Sequence, residues 1–483
     1  MGHRLSDRIA AVLELQPSEP AIEFDGNWIA WAELAACARQ ISAALGESRP
    51  EVGVLLRNRP PHVATVLGIL LAGATLVVVN PARGDDRIKA DLAALELPVV
   101  VGDAEDIAAY VTPAPSTTVI TIGAVTETPA VATATVPGSA GSRPGVAVRM
   151  LTSGTTGPPK RIDLTYDMLA HSVLGPVPER PRRGVAIVNA PLVHIGGIYR
   201  VLQNVCGARP FVLLARFELH RWAAAVRAHR PQAVSLVPAA LRTVLHSHLT
   251  AEDLSGVRAV TSGTAPLSAD DADAFTAKFG IPVLTSYAAT ELGGGVAGWT
   301  LADYQQYWPA KRGSVGRASL GAQLRVVGED GTPLDADQPG LLEVKPGQLG
   351  PGTPWLRTTD LARIDTDGFL WILGRADQAI IRGGFKVMPD DVRGALEAHP
   401  DVQGAAVVGR TDDRLGETPV AMVELRGNCD TAALLSYLRN RLAPYEIPTD
   451  IAIVDTIPRT PSGKADLSAV RAHFEAIGAT GHD

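Results

Sequence analysis

Between Met150 and Lys160 the sequence runs MLTSGTTGPPK, a short apolar lead into a loop of small and hydroxyl-bearing residues closed by two prolines and a lysine. Glycines let backbone N–H groups approach an anion closely, hydroxyls donate further hydrogen bonds, and the lysine adds charge, so phosphate is the guest that suits such a loop. The spacing is not that of the common nucleotide loop, where lysine follows the last glycine directly, because Pro158 and Pro159 separate Gly157 from Lys160. Lysine is scarce in this chain. The 44 basic residues include only Lys89, Lys160, Lys278, Lys311, Lys345, Lys386 and Lys464 as lysines, and Lys464 sits in PRTPSGKAD, a second glycine-bearing, motif-like place. A compact ammonium enters a tight phosphate site that a planar guanidinium would not fit.

These residues need a scaffold, and the hydrophobic pattern supplies one. Apolar runs VGVLL, LPVVVG, GVAIVNA, PFVLL and AVSLV alternate with alanine-rich stretches such as WAELAACARQISAAL and ELHRWAAAVRAHR. That alternation predicts an α/β class with largely parallel sheets. The segment from Val63 to Val79 has no charge and touches the lower length limit of a membrane span, about 17 residues. Gly73 interrupts it and β-branched residues crowd its second half, which instead predicts a buried helix turning into a buried strand that ends at Asn80-Pro81. Residues 112–145, rich in Ala, Thr, Pro, Gly and Ser, read as an irregular connector. From about Gly321, QLRVVGEDGTPL and GLLEVK read as hairpin pieces, and near Gly374 a further domain begins with the series DDVRGALEAHPDVQGAAVVG, TPVAMVEL and TAALLSYLRNRL.

Length and composition bound the rest. A chain of 483 residues exceeds the size at which one core keeps growing, so more than one domain is expected. Net charge is −7, which argues against a general nucleic-acid or anionic-membrane surface and for small-molecule partners. Cys37, Cys206 and Cys429 are far apart with no C-x-x-C pair, so neither a zinc site nor a disulfide framework is suggested and a reducing cytosol fits. The first residues carry charges every few positions and do not read as a secretory signal, and a cytoplasmic location is expected.

Taken in order, the motifs resemble those of the adenylate-forming superfamily of acyl-CoA synthetases, luciferases and nonribosomal-peptide adenylation domains, over nearly the whole chain. The resemblance implies a large domain, 1–374, of α/β/α layers plus a distorted β-barrel that binds ATP and the acyl group. It implies a small, mobile α+β domain, 375–483. Thr152, Ser153, Gly154, Thr155, Thr156, Gly157 and Lys160 match the family's phosphate loop, which wraps the β- and γ-phosphates of ATP. PLVHIGG matches an acyl-pocket segment and brings His194, Ile195 and Gly196. TSGTAPL resembles the backbone edging adenine, with Ser262, Gly263 and Thr264. In YAATE the resemblance gives Tyr287 the adenine face, Thr290 the α-phosphate and Glu291 the Mg²⁺, with Ala288 beside the acyl pocket. Asp360 of RTTDLARID stands where the family's aspartate grips the ribose hydroxyls, as a two-oxygen acceptor can. GRADQAIIRGGFKV matches the hinge segment, implying Arg375 near the nucleotide, Asp377 as pivot, and Gly383, Gly384 and Phe385 along a pantetheine tunnel. Lys464 matches the catalytic lysine.

The activity so implied is a carboxylic acid–CoA ligase. A carboxylate attacks the α-phosphorus, pyrophosphate leaves, and a thiol then displaces AMP, with ATP, Mg²⁺ and coenzyme A required. No general base is needed because the nucleophile is already ionised. A largely apolar fatty or aryl acid is expected as substrate. The family's amino-acid-activating members carry an aspartate in the segment aligned with PLVHIGG, and none is present here; no carrier-protein domain is read after it. A fatty acyl-AMP ligase or carrier-protein acylating enzyme is the alternative, and a degenerate nucleotide sensor a further one, although Glu291, Asp360 and Lys464 are all retained. A homodimer is left open. Three positions depart from the commonest pattern: Ala288, Thr359 and Arg161 each stand where glycine is usual. Arg200, just beyond HIGG, could pair a second carboxylate of a diacid. Its helical grouping with Gln203 and Asn204, opposite Ile198, Val201, Leu202 and Val205, reads instead as an ordinary polar face.

Overall fold

The structure, a computed structural model, describes residues 2–134, 143–151, 160–382, 385–412, 414–460 and 463–479. The expected phosphate-loop residues Thr152 to Gly157 and the tunnel residues Gly383 and Gly384 lie outside that set.

The alternating pattern becomes a mixed α/β fold. The run VGVLL forms strand Glu51–Leu55, which pairs in parallel with Thr75–Val79 on one side and Val99–Asp103 on the other, inside a seven-stranded sheet. WAELAACARQISAAL is the helix Trp31–Leu45. The uncharged stretch divides as its glycine suggests. Pro60–Leu71 is a helix with proline in its first turn and almost every residue buried, Gly73 takes φ +69°, and Thr75–Val79 is a fully buried strand. Helix Pro60–Leu71 packs on helix Trp31–Leu45 so closely that a Cβ at Gly68 would stand 2.5 Å from the Ala38 carbonyl oxygen. Among the described residues no helix is long and apolar enough to cross a membrane.

One expectation needs correcting. Residues 112–145 are not wholly irregular: Thr118–Ile122 is a strand parallel to Val99–Asp103, and Ala130–Ala132 adds an antiparallel edge. The β-branched run TVITI carried that signal inside a proline- and alanine-rich context.

A second sheet places Ala233–Ser235, Ala259–Ser262 and Val283–Ala289 in parallel, then turns back antiparallel through Gly294–Gly298. A four-stranded antiparallel sheet follows, Gln323–Val327, Gly340–Lys345, Leu356–Ile364 and Leu370–Arg375, with the expected hairpin as its first pair. Its apolar face shares one core with Leu292, Val296 and Ala297. After Arg375 the chain enters another sheet at Ile380–Arg382, joined to the long hairpin Val402–Asp412 and Gly416–Leu425 and to Asp450–Val454. The cores built from Ile380 onward contain no residue before it. The chain therefore comprises a large part and a small C-terminal part, each with its own apolar interior.

Arg161, where glycine is usual, has a structural task. Its guanidinium donates to Asp91 Oδ2 at 2.5 Å and to the Val78 carbonyl at 3.0 Å, and both side chains are largely buried. This ties the strand that leaves Lys160, Arg161–Thr165, across its neighbour to strand Thr75–Val79 and to helix Asp85–Leu95. Arg161→Ala leaves a half-buried carboxylate without its partner, at a cost of about 3 kcal/mol. We expect a lowered apparent Tm, and a double Arg161→Ala/Asp91→Ala variant that loses less than the sum of the two singles; strict additivity in calorimetry would contradict the coupling.

Candidate active site

The parallel strands set the site's location. In open α/β sheets ligands bind beyond the carboxyl ends of the strands, where neighbouring connections diverge. Ser262, Gly263 and Thr264 lie at the carboxyl end of Ala259–Ser262, and Tyr287 to Glu291 at that of Val283–Ala289, its register partner through Ser262 and Thr285. Gly263 allows the two ends to approach: a Cβ there would stand 2.8 Å from Ser286 Oγ. Thr264 holds φ +72°, a conformation that non-glycine residues adopt rarely and that gathers at ligand sites.

Sequence-distant residues meet here. The Tyr287 hydroxyl donates to Asp360 Oδ2 across the join between the parallel sheet and the four-stranded sheet. Asp360 and Arg375 are fifteen positions apart in sequence and direct cross-strand partners. Burial pushes the Asp360 carboxyl above the usual carboxylate range, with the Tyr287 hydrogen bond opposing. Burial and the neighbouring Asp360 push the Tyr287 phenol upward, so it remains a donor. Arg375 grips Asp377 with both arms, at 2.9 and 2.7 Å, which lowers the Asp377 carboxyl. Its Nη2 also donates to Thr359 Oγ1 at 2.6 Å.

Lys464 joins this group from the other end of the chain. A turn presents it: the Thr460 N–H donates to the Lys464 carbonyl at 2.7 Å, the Gly463 N–H donates to the Thr460 carbonyl at 2.8 Å, and Gly463 takes φ +80°. The Lys464 side chain keeps access to solvent but stands in a cleft between the two parts of the chain. There desolvation lowers its pKa, Glu291 and Asp360 pull it back up, and Arg375 reinforces the fall. The small part is held in this position by Arg242, which donates to Asp271 at 2.7 Å in the large part and to the buried Glu397 at 2.8 Å in the small. Arg426 reaches His246 beside it.

The segment expected to line the acyl pocket begins a helix. His194 is the N-cap residue of Ile195–Cys206, Gly197 packs against the Pro191 carbonyl, and a Cβ at Gly196 would meet nothing within 4 Å, so Gly196 borders open space. Ala288 is exposed and pairs with Gly295. Lys160 is the first described residue after the loop. Phe385, more than half exposed, stacks on Tyr445 at 4.6 Å between ring centroids and is not part of the ion cluster. Thr359, set aside in the sequence as a departure from a glycine position, proves to hold Arg375. Glu397 and Arg242 carried no sequence signal, since neither lies in a motif.

Comparison with known proteins agrees with this geometry. The AMP-binding enzyme profile matches residues 9–352, and the profile of the AMP-binding enzyme C-terminal domain matches 392–464. The chain belongs to this family, the adenylate-forming enzymes. It is 30% identical to 4-coumarate–CoA ligase 3 of Oryza sativa subsp. japonica over 93% of this chain and 88% of that one. It is 28% identical to indoleacetate–CoA ligase of Aromatoleum aromaticum, with 97% of each chain covered. Its fold is similar to that of ATP-bound MatB from Rhodopseudomonas palustris, with a TM-score of 0.81 and 27% identity over 99% of this chain and 100% of that one.

Thr359→Val removes the acceptor from Arg375 while keeping the side-chain volume. A charge-assisted hydrogen bond of this type contributes about 1.5–3 kcal/mol. We expect the ATP KM to rise by about tenfold or more and Thr359→Ser to restore most of it; a KM for Thr359→Val equal to that of the parent would remove Thr359 from the nucleotide site.

Proposed function

We propose that the protein is an ATP-dependent carboxylic acid–CoA ligase that forms an acyl-adenylate with release of pyrophosphate and then an acyl-CoA thioester with release of AMP. The observation that carries this reading is the placement of Lys464 in the field of Glu291 and Asp360, at the carboxyl ends of the parallel strands. Support comes also from the relatives matched along nearly the whole chain, whose names are those of acid–CoA ligases. Because those relatives act on aryl-bearing acids by name, an aryl acid is favoured over a simple fatty acid as substrate.

The residues present suit the reaction. Asp360 accepts the ribose hydroxyls, Tyr287 offers its ring to adenine while its hydroxyl steadies Asp360, and Ser262, Gly263 and Thr264 edge the base. Thr290 donates to the α-phosphate, and Lys160, with the loop Thr152–Gly157, holds the outer phosphates. Glu291 is a hard oxygen ligand that fits Mg²⁺, whose contribution when bound is to neutralise phosphate charge. Lys464 stabilises the charge that develops on the α-phosphoryl oxygens and the bridging oxygen as the substrate carboxylate forms its bond to phosphorus and the bond to pyrophosphate breaks. In the second step the CoA sulfur bonds to the acyl carbon and AMP departs as the leaving group. A hinge at Asp377, just after the strand that ends at Arg375 and ahead of the small part's core, lets the small domain turn between the two steps, bringing Gly383, Gly384 and Phe385 to the thiol path.

Two measurements test this. A panel of carboxylic acids assayed for AMP release with and without CoA should show product formation that depends on CoA. Acyl-adenylate accumulation with no thioester would instead assign an acyl-AMP ligase. Single-turnover assays of each half-reaction should then separate the residues. Lys464→Ala should slow adenylate formation by about 10²-fold or more while sparing conversion of supplied adenylate to thioester. Since Asp377 also pairs with Arg375, Asp377→Ala must accompany Asp377→Pro. Both lose the ion pair, but only proline fixes φ, so thioester formation should fail in the proline variant beyond any loss in the alanine one. Equal slowing of both steps by Lys464→Ala would count against alternation of the small domain.

A further inference from the structure

The polar face of the Ile195–Cys206 helix is not an ordinary solvent face. Arg200, Gln203 and Asn204 line a cavity of about 290 Å³, together with Thr261, Arg182 and Arg209. The cavity wall contains three arginines and no carboxylate. Among the described residues, none of Arg182, Arg200 and Arg209 has an acidic partner within salt-bridge distance. Arg200 donates to Thr261 Oγ1 at 3.1 Å, and its pKa is lowered by desolvation alone. The Arg209 Nε is buried without a hydrogen-bond partner, and its guanidinium is lowered by burial and by the like charge of Arg182. Arg182 is exposed, whereas Arg200 and Arg209 are partly withdrawn from water; guanidinium groups so placed and unneutralised by the protein are costly unless a ligand supplies the anion.

Position ties this cavity to the acyl site. Residues three and four apart share a helix face, so Gly196, Arg200, Gln203 and Asn204 form one stripe along the helix. Gly196 borders open space at the end of that stripe where the acyl segment begins. From Gly196 to Arg200 the helix rises about 6 Å. Thr261, which Arg200 holds, immediately precedes Ser262 at the proposed nucleotide edge.

We propose that this cavity receives a second carboxylate at the far end of the acid substrate, so that the enzyme activates dicarboxylic acids, aryl or aliphatic, in preference to their monocarboxylic counterparts. The inference rests on the ligase reading above and specifies its substrate class. One carboxylate reacts with ATP. The other is gripped by Arg200, with Arg209 and Arg182 adding field from the outer wall and Gln203 and Asn204 available as amide donors. An apolar tail in the same space would leave these cations unpaired, which is the form of selection that rejects analogues most strongly.

The test pairs dicarboxylic acids of four to ten carbons, and aryl acids bearing a second carboxylate, with the corresponding monoacids, in CoA-dependent AMP release. The expected result is a kcat/KM ratio of about 10² or more in favour of a diacid. Arg200→Met should reduce that ratio at least tenfold, Arg200→Lys should restore part of it, and Arg209→Gln at the outer wall should reduce it less. Isothermal titration of the parent with the preferred diacid and a non-hydrolysable ATP analogue should show binding that Arg200→Met weakens. Preference for monoacids, with a ratio unmoved by Arg200→Met, would overturn the proposal while leaving the ligase reading intact. A diacid that alters monoacid turnover without being consumed would also overturn it, by assigning the cavity to a separate effector. AMP release from no acid at all would overturn the ligase reading and this inference with it.

Discussion

Three carboxylates converge on the cleft between the two parts of the chain, and the position of two cations among them governs the architecture. Asp360, Asp377 and Glu291 all act electrostatically on Arg375, and Glu291 and Asp360 also on Lys464. Like charges so close, partly withdrawn from water, repel unless cations stand between them. Arg375 is delivered by the sheet itself, opposite Asp360 on the neighbouring strand and clamped by Asp377 and Thr359. Lys464 cannot arrive that way, because it lies on a turn nearly a hundred residues further on. It enters only if the small part docks, and the Arg242 bridge between Asp271 and Glu397 provides one such docking contact. The cation proposed to serve the first half-reaction is thus also the one most easily withdrawn.

That separation follows from how each group is held. Asp360 and Arg375 are fixed by direct antiparallel pairing, next to a bulge between Leu361 and Ala362, and Tyr287 ties Asp360 to the parallel sheet. Moving any of them means breaking a sheet. Moving Lys464 means breaking surface contacts: the Arg242–Glu397 ion pair, the Arg426–His246 contact and a turn that packs against Val237 at 3.8 Å from a Gly463 Cβ position. Interfaces of this kind are far weaker than a shared core, and the apolar cores do not cross the division.

Much of this was legible in the sequence because periodicity and spacing report local structure well. The helix Trp31–Leu45, the buried helix-to-strand passage through Gly73 and the hairpin beginning at Gln323 follow from pattern alone. The motifs likewise pointed to Tyr287, Asp360, Arg375 and Lys464, which the fold brings together. Of the three positions where the sequence reading fell short, two share one cause: a sequence pattern shows which face is polar but not what stands opposite. Thr118–Ile122 was hidden by its surroundings although its own residues favour a strand. Thr359 was seen as a missing glycine, since its partner Arg375 lies on another strand. Arg200 was read as one member of a polar stripe, and only the fold shows Arg182 and Arg209 facing the same space.

The two clusters of charge differ in a way that bears on catalysis. At the cleft, the protein supplies both signs, so the site is largely neutralised by its own residues and the reacting groups find preorganised partners. In the arginine-lined cavity the protein supplies one sign only. On the proposed reading, an anion entering would pair the partly buried guanidinium groups of Arg200 and Arg209, and Arg200 is joined to Thr261, one residue from Ser262 at the carboxyl end of the same strand. Binding energy gained at the far end of a substrate accelerates reaction only when it fixes the near end more firmly in the transition state than in the ground state. A path of one hydrogen bond and one strand end suits that requirement on the proposed reading, because a carboxylate held at Arg200 would restrict where the reacting carboxylate lies relative to the α-phosphate. The same path would make the Ile195–Cys206 helix a ruler, with Gly196 bordering open space and arginine four positions along the same face.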